Sequence, residues 1–144
     1  MSGCCCANVP AKITQDCPEC GSACKSVGMP TLYHQVRFPE NQRIVSDTYY
    51  FCPSRQCSIA YFSSAGNTVS KQHLRTCQEI QNGKLCYCFD IDADQYLLAI
   101  SANHAESIKD FIIQRTKSGE CACELRNPSG QCCLAKFKHF DKLL

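Results

Sequence analysis

Cys17-Pro-Glu-Cys20, Cys52-Pro-Ser-Arg-Gln-Cys57, Cys86-Tyr-Cys88, Cys121-Ala-Cys123 and Cys132-Cys133 place ten of the chain's 15 cysteines in short-spaced groups. Thiols grouped like this either pair as disulfides or hold metal, and the two chemistries suit different geometries and compartments. Close neighbours such as Cys86 and Cys88 diverge and do not readily bridge each other. The odd count leaves at least one thiol without a disulfide partner. The start, Met-Ser-Gly-Cys-Cys-Cys-Ala, carries neither a basic segment nor an apolar stretch, so the expected home is the reducing cytoplasm. There, clustered thiols are metal ligands.

Cys17, Cys20, Cys52 and Cys57 form the first expected site. In Cys-Pro-x-Cys-Gly both sulfurs face one point, and Gly21 lets backbone N–H groups approach the thiolates. Thirty-one residues lie between the two pairs, longer than the common zinc-ribbon spacing. Four thiolates close a tetrahedral shell and leave no open position, which predicts a structural Zn²⁺.

The second expected site starts at Cys86 and Cys88. Thirty-two residues then precede Cys121, room for a helical hairpin. A [2Fe–2S] cluster needs two thiolates on each of two irons. Cys86 and Cys88 supply one pair, and two of Cys121, Cys123, Cys132 and Cys133 complete the set. The turn Asn127-Pro-Ser-Gly130 folds the chain back, bringing Cys132 beside Cys121, and its free N–H groups are expected to face the cluster sulfurs. The predicted ligands are therefore Cys86, Cys88, Cys121 and Cys132, with Cys123 and Cys133 as alternates.

Positioning these thiols requires an α+β fold: a zinc-stapled β-hairpin subdomain over residues 1–76 and a helical [2Fe–2S] subdomain over 77–144. Asp47–Cys52 and Ser58–Phe62 are rich in strand-favouring residues and form a hairpin with Cys52 and Cys57 at its tip. Asp92 with Gln95 makes a capping box for a helix over Ala93–Ala102. Asn103 with Glu106 repeats that signal for a helix ending at Gly119. Cys133–Leu144 aligns Leu134, Phe137, Phe140 and Leu144 near one face of a third helix. Segment 64–85 links the two halves.

Hydrophobic residues make up 44% of the chain, enough for a small core that metal staples would reinforce. The formal charge is +2 with scattered basic residues. No nucleic-acid partner is expected, and no apolar run is long enough for membrane insertion. No nucleophile–base pair, carboxylate pair or phosphate loop suggests hydrolysis or group transfer. Any enzymatic role would be one-electron metal reduction.

The ordered motifs resemble the N-terminal zinc and [2Fe–2S] domain of the CopZ copper chaperones. The resemblance rests on Cys17-Pro-Glu-Cys-Gly21, Tyr50-Phe-Cys52 with Cys57 and Tyr61-Phe62, Cys86-Tyr-Cys-Phe89, and Cys121-Ala-Cys-Glu124 through Asn127-Pro-Ser-Gly-Gln-Cys-Cys-Leu134. The second half is also similar to bacterioferritin-associated ferredoxin domains. Those close with Cys-x-x-Cys, whereas residue 124 here is Glu. The chaperones add a Met-x-Cys-x-x-Cys copper loop, which these 144 residues do not contain. Copper delivery through that loop is thus not expected.

The resemblance implies an electron-transfer or redox accessory protein in copper or related metal homeostasis, working with a redox or metal-trafficking protein and in contact with Cu(I). The alternative is a module that binds or senses soft ions, Cu(I) or Hg(II), with purely structural metal centres. Cys4–Cys6 would then be a soft-metal hook. Cys24 is a substitute zinc ligand by proximity in sequence, and Cys77 a small buried residue. His34, His73, His104 and His139 show no ligand spacing.

Overall fold

The computed structural model describes residues 13–143. Cys4–Cys6 and Leu144 lie outside the described residues.

Five short strands form an antiparallel meander in chain order: β1 (Thr14–Asp16), β2 (Ala23–Val27), β3 (Tyr49–Phe51), β4 (Ile59–Ser63) and β5 (Thr68–Ser70). The expected hairpin is β3–β4, with Tyr50 opposite Phe62 and Phe51 opposite Tyr61. Alternation along the strands separates two faces. Tyr50 and Phe62 stack at 5.3 Å and pack with Cys17, Cys24, Cys52 and Cys57. Tyr49 and Tyr61 face the other way and pack on Leu32 and Val36 of the helix region. That helix, α1 (Met29–Gln35), has Pro30 in its first turn, where a missing N–H costs no intrahelical bond.

Residues 64–75 belong to the sheet half. Thr68–Ser70 is its last strand, Leu74 is buried in its core, and Leu74 bridges to Val36. α2 (Cys77–Gln81) then leads into a two-stranded ladder of β6 (Lys84–Cys86) and β7 (Ile91–Asp92).

Four helices follow. The capping box of Asp92 and Gln95 opens α3 (Ala93–Ser101) with both hydrogen bonds present. α4 (Ala105–Lys117) begins differently from expectation: His104 occupies the cap position and Asn103 takes a left-handed backbone with φ of 61°. The tight turn after α3 consumes Asn103, so it is not free to cap. α5 (Cys123–Arg126) is a single turn and α6 (Cys133–Leu143) closes the chain. Tyr96, Ile112 and Phe137 are fully buried between these helices. Phe137 and Phe140 meet the Tyr96 ring edge-on at 4.8 and 5.9 Å. Lys109 and Tyr96 both donate to the Asp141 carboxylate, at 2.5 and 2.7 Å, tying α6 to α3 and α4.

The halves meet through buried donors. Gln35 Nε2 donates to the Leu125 and Arg126 carbonyls at 2.8 and 3.0 Å. Thr31 Oγ1 donates to Glu124 O at 2.6 Å, and the Tyr61 hydroxyl donates to Pro128 O. All three side chains are almost wholly shielded from solvent. They hold the backbone between the last two cysteine groups.

Candidate metal centres

Cys17 directly follows β1. Its N–H donates to Ser22 O and its carbonyl accepts from Gly21 N–H, closing a turn in which Gly21 has φ of 76°. A side chain at Gly21 would force an L-residue into the left-handed region. Cys52 directly follows β3 and Cys57 precedes β4 across the second turn. Because β2 pairs with β3, with Lys25 opposite Phe51, the two turns sit side by side.

The four sulfurs of Cys17, Cys20, Cys52 and Cys57 lie within 4.8 Å of one another. Cys17 and Cys57 stand 3.8 Å apart, and Cys20 and Cys52 3.5 Å. Zinc–sulfur bonds of about 2.3 Å at tetrahedral angles put ligand sulfurs about 3.8 Å apart. The donor set therefore fits a zinc ion with little adjustment. It consists of four cysteine thiols, so the shell is closed and the metal it suits is structural.

The local environment treats the four thiols unequally. The hydroxyl and backbone N–H of Ser22 lower exposed Cys20 to about 6. Burial pushes Cys52 and Cys57 up to about 12. Bound metal displaces those protons and links zinc affinity to pH. Lys71 supplies a counter-charge: its nearly buried ammonium donates to Cys57 O at 2.9 Å and Ile59 O at 2.5 Å. Glu19 accepts from Ser58 Oγ at 2.7 Å and from Cys57 Sγ at 3.4 Å. Cys24 packs beside the quartet, but its thiol donates to Ser22 O at 3.1 Å and burial raises it to about 11.

The second thiol group draws on both ends of the helical half. Cys86 ends β6, wholly buried, and Cys88 is half-buried in the following loop. Cys88 and Cys123 sulfurs are 3.6 Å apart. The Cys123, Cys132 and Cys86 thiols beside Cys133, together with burial, push it far above the ordinary range. Cys123 likewise raises Cys88, and the Cys133 bond holds Cys86 down.

Of the four closing candidates, the structure buries Cys123 and Cys133 against Cys86 and Cys88. Cys121 and Cys132, the expected pair, are half-buried. The Cys88–Cys123 contact joins a thiol of Cys86-Tyr-Cys88 to a thiol of the helical segment. A sequence signal for Cys133 exists: it shares the i, i+4, i+7 stripe of Phe137 and Phe140, which Cys132 does not. Cys123 is harder to see, because α5 is only four residues long.

The Asn127–Gly130 turn also behaves differently from expectation. Its N–H groups are used internally, Ser129 N to Asn127 Oδ1 at 3.0 Å and Gly130 N to Asn127 O at 2.8 Å. The N–H groups that reach sulfur are Phe89 N on Cys86 at 3.4 Å and Ala122 N on Cys88 at 3.1 Å.

Cys77 is half-buried at the start of α2. His73 lies 3.8 Å from Glu40, and His139 is exposed on α6. No helix among the described residues is long and apolar enough to cross a membrane.

No curated protein sequence matches the chain. Residues 14–75, which contain Cys17, Cys20, Cys52 and Cys57, match the family model of a zinc-binding domain of the CopZ type. Among solved structures, the X-ray structure of the Archaeoglobus fulgidus CopZ N-terminal domain superimposes with a TM-score of 0.70. It is 24% identical and the match covers 88% of this chain and 98% of that one, a shared fold across both halves.

Proposed function

We propose that this chain is a zinc-braced electron-transfer accessory protein of copper or related metal homeostasis. Zinc on Cys17, Cys20, Cys52 and Cys57 holds the sheet. A [2Fe–2S] cluster on Cys86, Cys88, Cys123 and Cys133 would supply one-electron chemistry. The observation that supports the second part is the close approach of thiols from the Cys86-Tyr-Cys88 and helical segments, 3.6 Å for Cys88 and Cys123. Phe89 N–H and Ala122 N–H, which donate to Cys86 and Cys88 sulfur, would stabilise negative charge there and raise the potential. The likeness to a CopZ N-terminal domain supports the copper setting, with a redox or metal-trafficking protein as partner.

Elemental analysis of anaerobically reconstituted protein tests the reading, with one zinc, two irons and two acid-labile sulfides per chain expected. Two zincs and no sulfide would sink the cluster. A serine scan then tests its ligands. Cys123→Ser and Cys133→Ser should abolish or shift the visible spectrum, while Cys121→Ser and Cys132→Ser leave it nearly unchanged. The reverse pattern restores Cys121 and Cys132 as ligands.

A second reading, a soft-ion binding module, is favoured by Cys24, a buried fifth thiol packed with Cys17, Cys52 and Cys57. Reversible redox cycling supports the first reading. Tight Cu(I) uptake that vanishes in Cys24→Ser, with a cluster that collapses on reduction, supports the second.

A further inference from the structure

Tyr87 separates two of the proposed cluster ligands, and cations surround it. It borders an open cleft of about 250 Å³ together with His34, Arg75, Lys84 and Arg126. Lys136 Nζ sits 5.2 Å over the Tyr87 ring and donates to Lys84 O at 3.0 Å. Arg55 lies against Gly83, donates to Gln81 O at 2.5 Å, and its charge reaches both Tyr87 and Lys136. Arg75 Nε donates to His34 O, while burial and then the Arg75 and Arg126 charges hold His34 below its ordinary value. Arg55, Arg75, Arg126 and Lys136 are exposed.

Among the residues lining the cleft, Glu79 and Asp90 oppose Arg75, Lys84 and Arg126, and Asp90 is paired with Lys84. Arg55 and Lys136 add two further cations beside Tyr87. With both metal centres loaded, four thiolates on zinc and four on an oxidised cluster would bring the whole chain to about −2. The surface over Tyr87 is thus opposite in sign to the loaded molecule.

We propose that this basic face is the docking surface for an acidic electron-transfer protein, beside the Cys86-Tyr87-Cys88 segment that carries two of the proposed cluster ligands. It rests on the cluster reading above. A protein partner fits better than nucleic acid, because Glu79 and Asp90 interrupt the face and would repel a phosphate backbone, and Lys136 covers the Tyr87 ring needed for base stacking.

Stopped-flow oxidation of the dithionite-reduced, fully loaded protein tests it. Each turnover passes one electron from the reduced cluster to Co(III), giving Co(II) and the oxidised cluster. The rate with anionic tris(oxalato)cobaltate(III) should fall as ionic strength rises, and the rate with cationic hexaamminecobalt(III) should rise. Poly-glutamate should compete with the anionic oxidant and poly-lysine should not. Arg126→Glu and Lys136→Glu, each with an unchanged visible spectrum, should each slow the anionic reaction at low salt by about tenfold. Salt slopes that follow the net negative charge, or charge-reversed variants at wild-type rate, overturn the surface while leaving the cluster standing. A colourless protein without iron overturns the cluster and the surface with it. Preferential binding of duplex DNA over poly-glutamate, lost in the same variants, would identify a nucleic-acid partner instead.

Discussion

The two thiol groups differ in what brings their sulfurs together. In the first, the ligands lie in the two turns that follow β1 and β3, and one ladder, β2 on β3, sets the distance between the pairs. In the second, Cys86 is on a strand, Cys88 in a loop, and Cys123 and Cys133 each start a helix. The segment carrying the last two is fixed by Thr31, Gln35 and Tyr61 from the other half. A quartet on a sheet edge needs only its sheet. Thiols gathered from loops and helix starts need the whole molecule.

Cys52→Ser should break the comparison most severely. Zinc affinity in isolated zinc-finger peptides amounts to about ten kcal/mol of folding free energy. Loss of hydrogen-exchange protection over β3 and β4 is expected, together with loss of protection over 121–133, because the donors of α1 go with the sheet. If segment 121–133 keeps full protection, the halves are independent and the clamp is unimportant.

Gln35→Ala leaves zinc in place and removes the clamp alone. Two part-buried carbonyls and the Thr76 hydroxyl that bonds Gln35 Oε1 at 2.7 Å lose their partner. Unsatisfied buried groups cost roughly 1–3 kcal/mol each, so a destabilisation of about 3 kcal/mol is expected by denaturant titration. Zinc content should be unchanged and iron retention reduced. Equal loss of both metals would mean that Gln35 acts on general stability.

Asp141 offers the smallest effect and confines it to the helical half. The Lys109 ammonium and then the Tyr96 hydroxyl hold its carboxyl below the ordinary aspartate value. A depressed folded value stabilises above the unfolded value and is lost as pH falls through the folded one. Asp141→Asn should therefore cost about 1 kcal/mol at neutral pH and flatten the acid limb of the stability curve. Thermal melts at two pH values measure both. An unchanged acid limb assigns the acid sensitivity to other groups.

Much of the first group was legible from the chain because it depends on local rules. Cys-Pro-Glu-Cys-Gly encodes its own turn, and Tyr49–Phe51 and Ile59–Ser63 declare themselves as strands by composition. The capping box at Asp92 was readable for the same reason. The burial of Cys123 rather than Cys121 was not, since neither turn geometry nor spacing distinguishes residues two apart. Asn103 misled because a residue fit to cap a helix is equally fit for a left-handed turn. The Asn127 turn was correctly placed, but its side chain satisfies the N–H groups that seemed available.

The pairing of β2 with β3 has a consequence for how the sheet is assembled. Adjacent short strands admit competing registers, and a slip that keeps side chains on their faces moves one strand by two residues, about 6.8 Å. Tyr50 and Phe62 tolerate a neighbouring aromatic or β-branched residue in many alignments, so packing alone discriminates weakly. A tetrahedral ion does not tolerate it, because ligand sulfurs must stand about 3.8 Å apart. With Ser26 opposite Tyr50, both turns present their sulfurs to the same point. Zinc thus proofreads strand alignment: a misregistered sheet offers it at most two thiolates at a time, and only the native pairing closes the shell.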